Sequence, residues 1–376
     1  MMKHPTLRLP LLLAVVLIAA SCQKDVGSEA SLTGKNKRAP AAASVTVYAR
    51  GLNNPRGLKF GPDGNLYVAE GGLGGTTSTV GLCTQVIPPV GPYTGSLTSG
   101  RISRISSDGT RSTVTDQLPS SQTSPALGNL VSGVADVAFI GNTLYALLAG
   151  AGCSHGVASV PNGIVRVADN GTWTMVANLS AWQQSHPVAQ PEEDDFEPDG
   201  TWYSMVAVRG DLYAVEPNHG ELVKVTTDGT ISRVADISAT QGHVVPTAIA
   251  YHGNFYVGNL NTFPLKDSTS HVYKISPAGE VQVRYNDLTA VVGLAFDNQA
   301  RLYALETTVG APDPTPGHGQ VVRIDPNGMI TTVATGLSLP TSMTMGPDGN
   351  LYVSNWGYGP PIAGRGEILK ITLSNE

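Results

Sequence analysis

Residues 55–68 read PRGLKFGPDGNLYV, and residues 340–353 read PTSMTMGPDGNLYV. The same unit returns in looser form as VADVAFIGNTLYAL, SMVAVRGDLYAV, PTAIAYHGNFYV and VGLAFDNQARLYAL, marked by Tyr67, Tyr145, Tyr213, Tyr256, Tyr303 and Tyr352. Each copy is an alternating apolar run, a tight polar turn and a second apolar run, the pattern of a β-hairpin. A third strand and its turn follow, as in GRISRISSDGT, NGIVRVADNGT, GELVKVTTDGT and GQVVRIDPNGM. A fourth apolar strand comes next, as in STVTDQL, TMVANLS and TTVATGL. The repeat is thus four short strands, A to D from the inside outward, in about 40–50 residues. One such sheet cannot cover both of its faces, so the copies must stack in a ring. The fold class is all-β: a six-bladed β-propeller.

The sixth copy reaches Glu376 directly after its strand C, GEILKITL. Residues 45–52, VTVYARGL, match TTVATGL of the fifth copy and are expected to supply the missing outer strand, which removes an open edge. The propeller then spans 45–376. Composition agrees: 41% hydrophobic and only 14% charged residues, with 43 Gly and 26 Pro, suit short strands joined by tight turns. A net charge of −6 with no basic stripe excludes a nucleic-acid partner.

The first 22 residues read as a targeting segment. Lys3 and Arg8 precede an apolar run from Leu9 to Ala20, shorter than the roughly 20 apolar residues that span a bilayer. Ala19-Ala20-Ser21-Cys22 resembles a bacterial lipobox, which implies lipidation at Cys22. The alternative is ordinary secretion. Gln23 stands where Asp would signal inner-membrane retention, and Gln23-Lys24-Asp25 resembles the surface-export signals of Bacteroidota lipoproteins. The expectation is an outer-membrane lipoprotein, on the periplasmic or surface face, with residues 23–44 as a tether. The remaining cysteines, Cys83 and Cys153, are expected to form a disulfide in that oxidising compartment.

Loop lengths are lopsided. The A–B and C–D turns are tight, whereas B–C and D–A connections such as 72–99, 150–163, 180–200, 259–270, 307–319 and 356–364 are long. Long ordered loops gathered on one face usually carry function. At the end of strand B the six copies place Glu70, Leu148, Glu216, Asn259, Glu306 and Asn355. Five of these bear side-chain oxygen, and their convergence at one mouth would suit Ca2+, with Glu70, Glu216 and Glu306 as metal ligands. A crowded carboxylate there could also do acid–base work. Equally, each group could tie down its own B–C loop through backbone N–H groups. Glu216-Pro217-Asn218-His219-Gly220 is the densest polar cluster, and His219 with Glu216 is the candidate proton-transfer pair; Asn218 is a candidate binding residue. His155, His186, His243, His271 and His318 fall in or beside the same loops. The run Glu192 to Glu197 reads as a solvated acidic loop, and Asp136 is the exceptional carboxylate on an inner strand.

The stretches PDGTWYSMVAV (198–208), LYAVEPNHGEL (212–222), SATQGHVVPTAIAYHGNFYVGNL (238–260) and PTPGHGQVVRI (314–324) resemble the ScyD/ScyE family, within the broader NHL and SMP-30-like propellers. The resemblance implies the propeller fold and carries no catalytic residue with it. Three functions stay open at this point. The first is a monomeric, membrane-tethered propeller holding a small molecule, glycan or protein at its long-loop face. The others are a cation-dependent hydrolase of the SMP-30 or lactonase kind and a scaffold in an envelope complex.

Overall fold

The computed structural model describes residues 43–191 and 196–374. Cys22 and the leader, most of the tether and residues 192–195 lie outside the described residues. Strand β1 (Ser44–Leu52) opens the chain. Blade 1 holds β2 (Pro55–Phe60), β3 (Leu66–Glu70), β4 (Thr94–Ile105), β5 (Arg111–Gln122) and a short fifth strand β6 (Val131–Ser132). Blade 2 is β7 (Val134–Ile140), β8 (Thr143–Leu148), β9 (Gly163–Val167) and β10 (Trp173–Asn178). Blade 3 is β11 (Ser204–Val208), β12 (Asp211–Glu216), β13 (Glu221–Val225) and β14 (Ile231–Asp236). Blade 4 is β15 (Pro246–Tyr251), β16 (Phe255–Asn259), β17 (Ser270–Ile275) and β18 (Val281–Leu288). Blade 5 is β19 (Val291–Phe296), β20 (Leu302–Glu306), β21 (Gly319–Ile324) and β22 (Ile330–Leu337). Blade 6 is β23 (Ser342–Met345), β24 (Leu351–Asn355), β25 (Gly366–Thr372) and, from the other end of the chain, β1.

The closing strand pairs antiparallel with β25, Val45 opposite Ile371 and Arg50 opposite Glu367. Two bulges in that pairing let Ala49 and Leu52 both turn inward. Side chains then decide how blades stack. Along β8, Leu144, Ala146 and Leu148 pack against blade 1, while Tyr145 and Leu147 pack against blade 3. Six apolar clusters arise in this way, one between each pair of neighbouring blades. The sixth joins Leu52, Leu58, Leu66 and Ile105 to Tyr352 and Ile368, which closes the ring.

The repeated PDGNLY motif is a turn that caps itself. Asp63 Oδ1 accepts the Asn65 N–H at 3.1 Å, and the Tyr67 hydroxyl reaches Asp63 Oδ2 at 3.1 Å. Asp348, Asn350 and Tyr352 repeat the arrangement, with Lys370 Nζ added at 2.7 Å. Burial opposes the charge on Asp348, but these donors outweigh it and hold its pKa at about 2. On the inner strands, hydroxyls tie blade to blade: Ser204 to the Thr247 carbonyl, Thr247 to that of Val291, and Thr341 to that of Pro55. Asp136 is buried and accepts the N–H groups of Val137 and Met205, both at 2.8 Å. It also explains Gly57, where a Cβ would sit 1.9 Å from Asp136 Oδ1.

Three details differ from expectation. Strand C of blade 1 begins at Thr94, so the loop read as 72–99 is shorter, because its last residues pair with β5 across bulges. The stretch after β10 is not wholly loop: α1 (Leu179–Ser185) is capped by Asn178, whose side chain accepts the Ala181 N–H. Glu197, read as part of a solvated acidic run, is 4% exposed.

Candidate functional site

The six strand-B ends lie at equivalent positions, and the oxygen-bearing ones are buried: Glu70, Glu216 and Asn259 are 0% exposed, Glu306 3% and Asn355 4%. A buried carboxylate must find donors, and the nearest are backbone groups of the D–A connection entering the same blade. Glu70 accepts the Asn53 N–H at 2.6 Å and Glu306 that of Thr289 at 2.7 Å. Asn355 accepts that of Ser338 at 2.8 Å and Glu216 that of Thr201 at 3.0 Å. Asn259 reverses the polarity and donates to the Val244 carbonyl at 2.8 Å. The remaining oxygens are also engaged. Arg101 forms a two-pronged pair with Glu70, Gln320 binds Glu306 at 2.6 Å, and the His219 N–H binds Glu216 at 2.5 Å.

The expected converging ring is therefore not formed. Each group turns sideways to fasten its own blade, through the D–A connection in every oxygen-bearing case. The oxygens of Glu70, Glu216 and Glu306, expected as Ca2+ ligands, each accept from protein donors. Among the described residues no three His, Cys, Asp or Glu side chains are grouped to hold a metal. Burial raises the Glu216 pKa to about 7, and the Glu197 charge adds to it, against the pull of the Thr201 and His219 N–H groups. His219 is 4% exposed, stacks on Phe196 and is pushed down in pKa by burial.

The loops of blades 1 and 2 are joined by the Cys83–Cys153 disulfide, with Cα atoms 6.3 Å apart. Behind it lies a buried polar network. His155 Nε2 meets Glu197 Oε2 at 3.0 Å, Tyr93 donates to Glu197 Oε1 at 3.1 Å, and Ser154 donates to Asp199 at 2.6 Å. Its members close the loops over one another. His186 stacks on Trp182, His271 lies edge-on to Tyr273, and His318 bonds the Val309 carbonyl.

The space the loops enclose is elsewhere, at the ring axis. A cavity of about 760 Å³ is lined by residues of all six blades. Its walls are mainly apolar, with Val90, Leu130, Val134, Trp202, Leu260 and Val292 among them. Its polar groups include Arg56, Tyr203, Asn218, His243, Asn261 and Tyr358. Of the residues singled out in the sequence, Glu197, Asn218 and His243 line it; Glu70, Glu216, His219, Asn259, Glu306 and Asn355 do not. Arg56, Ala135, Tyr203, Thr247, Val292 and Thr341 occupy equivalent places at or just before the start of strand A, one per blade, and line the cavity at the ring axis. Across that axis the Tyr203 hydroxyl of blade 3 donates to the Thr341 carbonyl of blade 6 at 3.0 Å. Arg56 donates to the Val131 carbonyl, and its charge pulls down the Tyr203 pKa against burial. Burial raises the pKa values of Tyr203 and Tyr358 to about 12, so both phenols keep their protons.

No protein-family model matches the sequence, and no curated protein does so at a significant level. Solved structures share the fold. A Bacteroides thetaiotaomicron protein of unknown function is 12% identical, with 89% of this chain covering 76% of that one at a TM-score of 0.55. A Xanthomonas campestris gluconolactonase is 11% identical, with 88% of this chain covering 90% of that one at a TM-score of 0.52. A PQQ-bound aldose sugar dehydrogenase from Streptomyces coelicolor is 14% identical, with 89% of this chain covering 99% of that one at a TM-score of 0.51. The chain shares the six-bladed β-propeller fold of these proteins.

Proposed function

We propose that this protein is an exported, lipid-tethered propeller that binds a small molecule in the cavity at its axis. The observation that carries the reading is the cavity itself. Its volume of about 760 Å³ falls within the roughly 300–1,000 Å³ of small-molecule sites, and its apolar walls with few inward polar groups match their chemistry. Binding is favoured over turnover because the acid–base pair read from the sequence, Glu216 and His219, lies outside the cavity lining. The hydrolase alternative draws on the gluconolactonase likeness, which is one of fold. The lipobox-like segment at Cys22 supports the tether.

A thermal-shift screen of small metabolites against the mature protein tests the reading, repeated on Leu130→Trp, which fills part of the cavity from a half-buried wall position. A ligand at about 100 times its Kd stabilises by roughly 2.7 kcal/mol. That shift should disappear in Leu130→Trp. A shift that survives the substitution places the site elsewhere, and lactone turnover that falls in Glu216→Gln would favour the hydrolase.

A further inference from the structure

We propose that one end of the cavity is a carboxylate subsite, in which the Arg56 guanidinium and the Tyr358 hydroxyl hold the acid group of a ligand whose apolar body lies against the walls. The inference rests on the cavity being the binding site and names the class of ligand it takes. A guanidinium is always charged and carries five donors in a planar fork. Among the described residues the fork's acceptor is the Val131 carbonyl, which is neutral. Among the described residues no carboxylate pairs with Arg56. Tyr203 has already committed its proton to the Thr341 carbonyl. Tyr358 has not: its hydroxyl makes no hydrogen bond among the described residues, and the residue lines the cavity. Its proton is held to about 12, and the Arg56 charge acts on it directly. A cation and a spare O–H donor therefore both line the cavity, and among the described residues no carboxylate is bonded to either, Asp313 acting on Tyr358 only through space.

Enclosing a cation without a counter-charge is costly, and a ligand that supplies the charge recovers that cost. The other charged groups at the cavity sharpen the choice. Glu197 already has His155 and Tyr93 as partners, and Asp313 lies at the exposed rim. One guanidinium with one hydroxyl donor beside it matches a single negative charge. The apolar walls, with Trp202 and Phe263 among them, suit an aromatic or aliphatic body.

The test uses two probes of one shape, 2-naphthoate and the neutral 2-naphthamide, titrated calorimetrically into the mature protein at pH 7. The acid should bind more tightly than the amide. Arg56→Gln should weaken the acid on the order of 10- to 100-fold and leave the amide nearly unchanged, as expected for a charge-assisted bond. Tyr358→Phe removes a hydroxyl that makes no hydrogen bond among the described residues, so it should fold normally, and it should weaken the acid more than the amide. This variant decides the matter if Arg56→Gln fails to fold. Equal binding of acid and amide, a preference that survives Arg56→Gln, or acid binding unchanged in Tyr358→Phe would each overturn the subsite and leave the cavity reading standing. No binding of either probe overturns both.

Discussion

Glu216 illustrates what a buried carboxylate does when its donors are backbone. Its pKa is near 7 against an ordinary 4.5, chiefly because burial penalises the charge. A carboxyl group whose pKa rises on folding holds its proton more tightly in the folded state. Its contribution to stability is full below pH 4.5 and is lost as pH climbs through about 7. Glu216→Gln should therefore flatten part of the fall in melting temperature between pH 5 and pH 8. Identical slopes for the two proteins would contradict this. Glu221 and Glu306 are also raised by burial, so some slope should remain in the variant. At this scale the sequence was legible in position and partly in partner, since backbone N–H groups on the B–C side do bind Glu216, from His219, and Asn259, from His271. The spacing from each marker tyrosine located Glu70, Glu216, Asn259, Glu306 and Asn355 at strand ends. Their donors and acceptors on the D–A side, however, are peptide groups 15 to 17 residues earlier, at Asn53, Thr201, Val244, Thr289 and Ser338, and peptide groups carry no letter. Arg56 could have been found. Its equivalents are Ala135, Tyr203, Thr247, Val292 and Thr341, so a lone cation at that place in the repeat was the available signal.

Between elements, two long-range links carry the most weight, and both were readable. The Cys83–Cys153 bridge was expected from compartment and cysteine number, and it joins consecutive blades across 70 residues. A cross-link of that span restricts the unfolded chain by about 4 kcal/mol. Cys153→Ser should lower the melting temperature by several degrees, and an unchanged melting curve would deny the bridge a stabilising role. The closing strand β1 has more to hold. It covers the open edge of β25, buries Ala49 and Leu52, and sends the Tyr48 hydroxyl to the Ser106 carbonyl of blade 1 at 2.8 Å. A chain beginning at Asn53 should aggregate or melt lower by roughly 10 °C or more, since losing it unpairs a strand and uncovers an apolar cluster. Equal melting of the shortened and full chains would mean that the ring closes without it. What the sequence blurred was the width of the loops: bulges extended β4 backward to Thr94, and α1 formed where only a loop was expected.

For the molecule as a whole, the ring was legible because its repeat is written in turn residues and alternation, which are local. The cavity was not, because it belongs to no single repeat; six different strand entrances make it jointly. Localisation follows from a segment outside the described residues and is tested separately. Cys22→Ser should move the protein from the detergent phase to the aqueous phase, and identical partitioning of both forms would remove the lipid anchor from the proposal. The Tyr203–Thr341 bond has a consequence at this scale as well. A strut laid across the axis from blade 3 to blade 6 ties opposite sides of the ring by a bond that belongs to no sheet.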